Sequence, residues 1–384
     1  MKIIAFVMLV IAVIMVAPAS GYALDYTADL SLALSEQYND NIFLDNTNKV
    51  HDYITAIAPS LALSTRTAQS DVMLSYSPIF NFYTNNSDQN NVSHAASLVG
   101  HYRPTDRLVL GLSDTFASTR ESSAIRAIQG AGPISRTNER ITTNTLAGDL
   151  SYRLTAKISL LANTGYIYTK SQSGTDDVSS YTGGLGASYA FNDRTVFRIN
   201  GTYTYFDYKN SSNANDSTYT AGINYRLTPT IVIDAFGGIV ITKVDEPKRT
   251  NTGFTGGLTA TKTFERGTAS ISYLQSVIAG VESTTPVKQQ TVTLRYAAPI
   301  IERLDASASV FYSRYRAIGG TVTAGTENRD DIGESAELTY RILPWLNGFI
   351  SYSHINSDDK TDGSGSYRNN IVTAGIRLTK QARF

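Results

Sequence analysis

From residue 25 onward, apolar and polar residues alternate with a period of two. In AGDLSYRL (147–154), Gly148, Leu150 and Tyr152 alternate with Asp149, Ser151 and Arg153. TAGINYRL (220–227) sets Ala221, Ile223 and Tyr225 against Gly222, Asn224 and Arg226. SAELTYRI (335–342) sets Ala336, Leu338 and Tyr340 against Glu337, Thr339 and Arg341. In QTVTLRYA (290–297), Val292, Leu294 and Tyr296 oppose Thr293 and Arg295. Successive side chains of a strand face opposite sides, so each segment is a strand with one apolar and one polar face. The stretches that follow keep the same rhythm. Leu304, Ala306, Ala308, Val310 and Tyr312 share a face opposite Asp305, Ser307 and Ser309, and 156–168 behaves likewise. No helical period of 3.6 is evident beyond the N-terminal segment.

Two kinds of connection punctuate the strands. Short ones stand at PTD (104–106), TA (155–156), ND (192–193), TP (228–229), ER (265–266) and LP (343–344). Longer polar ones stand at 44–49, 85–91, 173–179, 210–216 and 357–366, and the longest is 123–140. The repeat is therefore a hairpin, not a solenoid unit. The spacing predicts about 18 strands, with 16 as the alternative, in one all-β domain over 24–384. Even strand number, short turns at one end and long loops at the other describe an antiparallel up-and-down barrel of a Gram-negative outer membrane. The strands need only about 9–11 residues to cross it.

That geometry assigns faces. Tyr102, Tyr152, Tyr189, Tyr225, Tyr296 and Tyr340 fall on the lipid side where a strand leaves the membrane, and Trp345, the single Trp, lies just past a turn. Amphipathic rings are stable at the headgroup boundary, so these residues form a periplasmic aromatic girdle. Arg103, Arg153, Arg226, Arg295 and Arg341 then point into the lumen near its periplasmic mouth, with Asp149, Glu337 and Asp305 on the same polar face. A ring of arginines there attracts anions; alternatively, the arginines pair with those carboxylates and stiffen the wall. The remaining lumenal residues are mostly Ser, Thr, Gly and Asn. Pro59 and Pro78 fall inside adjacent strands. Each removes a ladder donor, and a bulge or shifted register is expected there.

Composition narrows the picture. The chain of 384 residues has 24 Tyr, 28 Gly and no Cys, so disulfides and lipid attachment to cysteine are excluded. Residues 1–23, one Lys followed by an apolar run ending at Pro18 and a small-residue site, read as a secretory signal peptide. Its removal takes away Lys2, leaving 32 Lys+Arg from 33 against 33 Asp+Glu. A net charge near −1 argues against nucleic acid as a partner.

Candidate chemistry is sparse, and no catalytic, cofactor or metal site is expected. His51, His94, His101 and His354 are the only histidines; His101 is placed in the lumen near the periplasmic end and the others near the opposite rim. No GxSxG or HExxH occurs. DDKTDG (358–363) resembles the start of a calcium loop, but Lys360 and Asn369 stand where ligands belong. The acidic stretch 39–46 reads as a solvated loop. The 123–140 loop is apolar enough at Ala124, Ile125, Ala127 and Ile128 to fold into the barrel, or else lies on the surface. Ile376 and Leu378 close an amphipathic last strand, and the terminal Phe384 looks like the signal read by the outer-membrane insertion machinery, an expected partner beside the lipid itself.

The stretch SEQYNDNIFLD (35–45) resembles outer-membrane barrel proteins of exopolysaccharide and exosortase-type loci, through Tyr38, Asn39, Asp40, Asn41 and Phe43. The resemblance implies a passive export conduit for a secreted polysaccharide, with periplasmic export components as partners. Two alternatives remain open: a general or solute-specific diffusion porin, and a plugged barrel with a structural role.

Overall fold

In the computed structural model the described residues are 25–120, 140–172, 177–246, 248–278, 286–318, 328–360 and 366–383. The expected signal peptide, most of the 123–140 loop and Phe384 lie outside them. Eighteen antiparallel strands run in chain order. They are β1 (Asp25–Asn39), β2 (Asp52–Arg66), β3 (Ser70–Tyr83), β4 (Asn91–Thr105), β5 (Leu108–Thr119) and β6 (Ile141–Arg153). Then come β7 (Ile158–Ser171), β8 (Val178–Asn192), β9 (Thr195–Tyr208), β10 (Ala214–Thr228), β11 (Ile231–Val244) and β12 (Arg249–Phe264). The last six are β13 (Gly267–Ile278), β14 (Val287–Ile301), β15 (Leu304–Ala317), β16 (Asn328–Leu343), β17 (Leu346–Asp359) and β18 (Tyr367–Arg383). Each pairs with its chain neighbours, and β1 pairs with β18 from Thr27↔Arg383 to Asn39↔Ile371, which closes the barrel. Closure removes both sheet edges, as a lipid environment demands.

The alternation fixes inside and outside. Leu30, Leu32 and Leu34 of β1 are exposed, and they oppose Leu61, Pro59 and Ile57 on β2 and Lys380, Leu378 and Ile376 on β18. Intervening residues such as Asp29, Ser31 and Ser35 face inward. Ser31 meets Ser60 at 2.6 Å inside, and Ser75 meets Ser97 at 2.7 Å. On β15 the outward series Leu304, Ala306, Ala308, Val310 and Tyr312 gives way to Arg314 and Arg316. Nine residues thus mark the apolar band, the length a tilted strand needs to cross lipid.

All turns at the end bearing the termini are short. Besides the six read from sequence, residues 67–69 and 302–303 make two more. The β12–β13 turn ends at Gly267, whose φ of +117° no L-side chain adopts readily.

Register shifts occur beside five of the short turns, and two further irregularities lie within the wall. Pro59 and Pro78 produce no register shift, contrary to expectation. The β2–β3 ladder runs Ile57↔Phe80, skips three rungs, and resumes in the same register at Leu61↔Tyr76. The two prolines stand opposite each other, so their missing donors fall on one hydrogen-bonded pair. The sheet loses a single local patch instead of slipping. The second irregularity is at β12–β13, whose ladder stops at Gly256↔Gln275 although both strands continue outward.

Candidate functional site

The interior has two zones. Near the short turns its lining is polar and open. Arg153, Arg226, Arg295 and Arg341 sit on β6, β10, β14 and β16, on the inward face and exposed to the lumen, and Arg103 is exposed at the register shift that ends the β4–β5 ladder. Alternate strands are about 10 Å apart across the ladder, so the arginines form a spaced ring with no mutual contact. Asp149 and Glu337 lie four residues up the strands that carry Arg153 and Arg341, a rise of about 13 Å. Asp305 is at the foot of β15. Among the described residues no ion pair joins these carboxylates to the five arginines. Arg153 donates instead to the Asp106 carbonyl. Six of the expected aromatic residues, Tyr102, Tyr152, Tyr189, Tyr296, Tyr340 and Trp345, are exposed on the outside near the turns, and Tyr225 is half-buried.

Sequence reasoning passed over several interior charges. Arg66 and Arg377 share the inward face, and Arg377 lies over the Phe349 ring at 5.3 Å. Arg198 on β9 pairs with Asp234 on β11, reaching across β10. That crossing needs Gly222, where an added Cβ would come within 3.0 Å of the Arg198 Nε. Asn224 donates to the other oxygen of Asp234 at 3.2 Å. His101 meets Asp71 at 2.9 Å, also within the lumen. The expected lumenal place of His101 holds; His94 and His354 lie toward the opposite rim on the outer face, against Tyr76 and Asn370. A second aromatic girdle circles the other end, including Tyr38, Tyr76, Tyr181, Tyr219, Tyr312 and Tyr352. These tyrosines flank the long loops rather than the YRLT-type turns, so the turn signal did not mark them.

The zone near the long loops is packed. Inward residues there are buried, including Ile54, Phe206, Tyr208, Val287, Phe311, Tyr315, Ile355 and Tyr367. Two apolar clusters form on opposite walls. One joins Leu44, Phe311, Ile355 and Tyr367; the other joins Val178, Phe206, Tyr208, Ala214 and Val244. Polar residues are buried beside them. Arg329 and Asp331, 2% and 0% exposed, pair at 3.1 Å, and Ser357 donates to Asp331 at 2.7 Å. Asp52, fully buried, accepts from the backbone and side-chain amides of Asn85 and Asn86.

The first long loop supplies part of that packing. The segment Tyr38–Asp45 is built into the wall, so the expectation of a solvated loop at 39–46 is corrected. Asn41 is fully buried; its amide donates to the carbonyls of Asp45 at 2.7 Å and Arg368 at 2.9 Å. Its own oxygen accepts from the Asp45 N–H at 3.0 Å. Asn369 donates to Asn39 and to the Asn41 carbonyl, and Asp40 accepts from the backbone and side chain of Asn370. Ile42 and Leu44 are thereby turned inward, 3% and 8% exposed. Leu44 adopts φ +54°, a conformation costing a leucine about 1–2 kcal/mol. Asp45 outside the strands accepts from the N–H groups of Thr47 and Asn48, both at 2.8 Å. These backbone bonds, Asn48 first, hold its carboxyl below the usual value. The residues thus staple the seam where the first strand meets the last.

At 358–363, Asp358 is taken by Lys360, whose ammonium pairs with it; residues 361–363 lie outside the described ones. Among the described residues, no cluster of three metal-binding side chains occurs.

Residues 54–226 match the family model of the outer membrane protein beta-barrel domain. That match spans less than half of the chain, and the closed barrel with its exposed apolar band is of the outer-membrane type. Similar folds occur in the outer membrane protein OpdK of Pseudomonas aeruginosa, 12% identical, covering 92% of this chain and 99% of that one with a TM-score of 0.44. OccK2 (OpdF) of the same organism, solved with glucuronate, is 11% identical, with coverage of 92% and 98% and a TM-score of 0.48. OccAB4 of Acinetobacter baumannii is 13% identical, with coverage of 95% and 100% and a TM-score of 0.49. No curated protein matches the chain.

Proposed function

We propose that the barrel is a passive diffusion channel for small hydrophilic solutes that favours anions and is narrowed at the end bearing the long loops. The observation that carries this reading is the asymmetry of the interior. One half is lined by Ser, Thr, Asn and five arginines that have no carboxylate partner among the described residues; the other buries its inward residues down to 0–8% exposure at Asn41, Asp52, Ile355 and Leu44. Hydroxyls and amides exchange hydrogen bonds with a polar solute at little net cost. Arginines set in a low-dielectric wall raise the local concentration of anions. The packed half sets the size limit.

A polysaccharide in transit needs a continuous wide bore, and the burial of the inward side chains in the outer half favours small solutes instead. The segment that resembles polysaccharide-associated barrels has a structural task here, closing the seam, which requires no polymer. Zero-current potentials across planar bilayers in a tenfold KCl gradient test the charge claim. Chloride preference is expected, and Arg153→Ala together with Arg295→Ala should reduce it. Cation preference in the unmodified protein would overturn the reading.

A further inference from the structure

The wall itself has an opening at β12–β13. Below Gly256↔Gln275 the two strands are paired to the turn; above it β12 continues through Arg249–Thr255 and β13 through Ser276–Ile278 with no rung between them. Side chains hold the fork. Gln275 donates to the Phe254 carbonyl at 2.6 Å, and Thr255 donates to the Gln275 carbonyl at 2.9 Å. A cavity of about 280 Å³ occupies the fork. Its lining includes inward Gly253 and Val240 and outward Phe254, Val277, Lys288 and Arg316, so it reaches from the interior to the outer surface. Phe254 stands at the level of the outer aromatic girdle, where acyl chains meet headgroups.

The charge around the fork is unbalanced. Lys288 stands directly opposite Arg316 on the outer face, and like charges so placed repel. Asp330 serves Arg316 at 2.8 Å and Arg314 at 3.3 Å. Two of the three cations thus share one carboxylate, and among the described residues Lys288 has no ion-pair partner. We propose that this fork is a lateral binding slot for amphipathic anions from the outer leaflet, with the head on Lys288 and Arg316 and the chain between Phe254 and Val277. It rests on the outer-membrane placement and not on axial diffusion.

The test uses the full-length protein in vesicles with a diazirine-bearing fatty carboxylate, and the trimethylammonium analogue as the sign control. The chain has no cysteine, so Gly253→Cys can be capped specifically with a bulky maleimide; a Cβ there meets only Val240, at 3.6 Å. Photolabelling should concentrate on the peptides carrying Phe254 and Val277 and favour the carboxylate by about fivefold. Lys288→Gln should cut it severalfold. Capped Gly253→Cys should lose it, while the uncapped variant, checked for a folded barrel by heat-modifiable mobility, keeps it. Equal labelling by the cationic probe, labelling spread evenly around the barrel, or indifference to the cap would overturn the proposal. Chloride flux through the same vesicles is read separately: flux without seam labelling sinks the slot alone, and labelling without flux sinks the channel alone.

Discussion

Asn41 has no solvent exposure and an amide that satisfies two carbonyls and one N–H. Replacing it with alanine strands those groups inside the packed zone. Each buried group left without a partner costs about 1–3 kcal/mol. Asn41→Ala should therefore lower unfolding stability by about 2–4 kcal/mol, read by urea unfolding in vesicles. It should also raise single-channel conductance by freeing Ile42 and Leu44. A stable variant with unchanged conductance would show that the loop neither staples nor narrows the barrel. Asp45 adds a pH dependence. A carboxyl with a lowered folded pKa contributes above its unfolded value of 3.8, and the contribution disappears as pH falls through the lowered one. Protection of the Thr47 and Asn48 amides should hold from about pH 7 down to about pH 4 and fall in stronger acid. Asp45→Asn should show weaker protection without that titration.

Strand pairing shows what alternation could and could not reveal. Period-two patterning made the strands legible because lipid and water select opposite faces at every step, as at Leu150/Ser151 or Tyr340/Arg341. The paired prolines show its limit. Each alone demands a bulge or an edge, and only the register places them opposite each other. Alanine at both positions restores two donors, worth about 1 kcal/mol each, against a smaller gain in unfolded-chain freedom. The double variant should be more stable by about 1 kcal/mol, and a less stable one would mean the prolines shape the wall in another way. At β12–β13, those backbone amides of Gly253–Thr255 and Ser276–Ile278 that point into the fork should exchange faster than their neighbours bonded to β11 and β14, because only side chains bridge the fork.

Across the molecule, strand number and inward arginines follow from local pattern, because both depend on residues close in sequence. The packed outer half does not. It joins Leu44 to Phe311, Ile355 and Tyr367, and Asn41 to Arg368, contacts some 270 to 330 residues apart, and no local period encodes them. The Arg198–Asp234 pair is hidden for the same reason, since it depends on two strand registers and on the bare Gly222 between them. The central claim is an open, size-limited hydrophilic path, and liposome swelling with sugars of graded size tests it most directly. Purified, refolded protein should admit monosaccharides and exclude larger oligosaccharides. No swelling from protein with strand-rich circular dichroism, or equal swelling with long oligosaccharides, would contradict it.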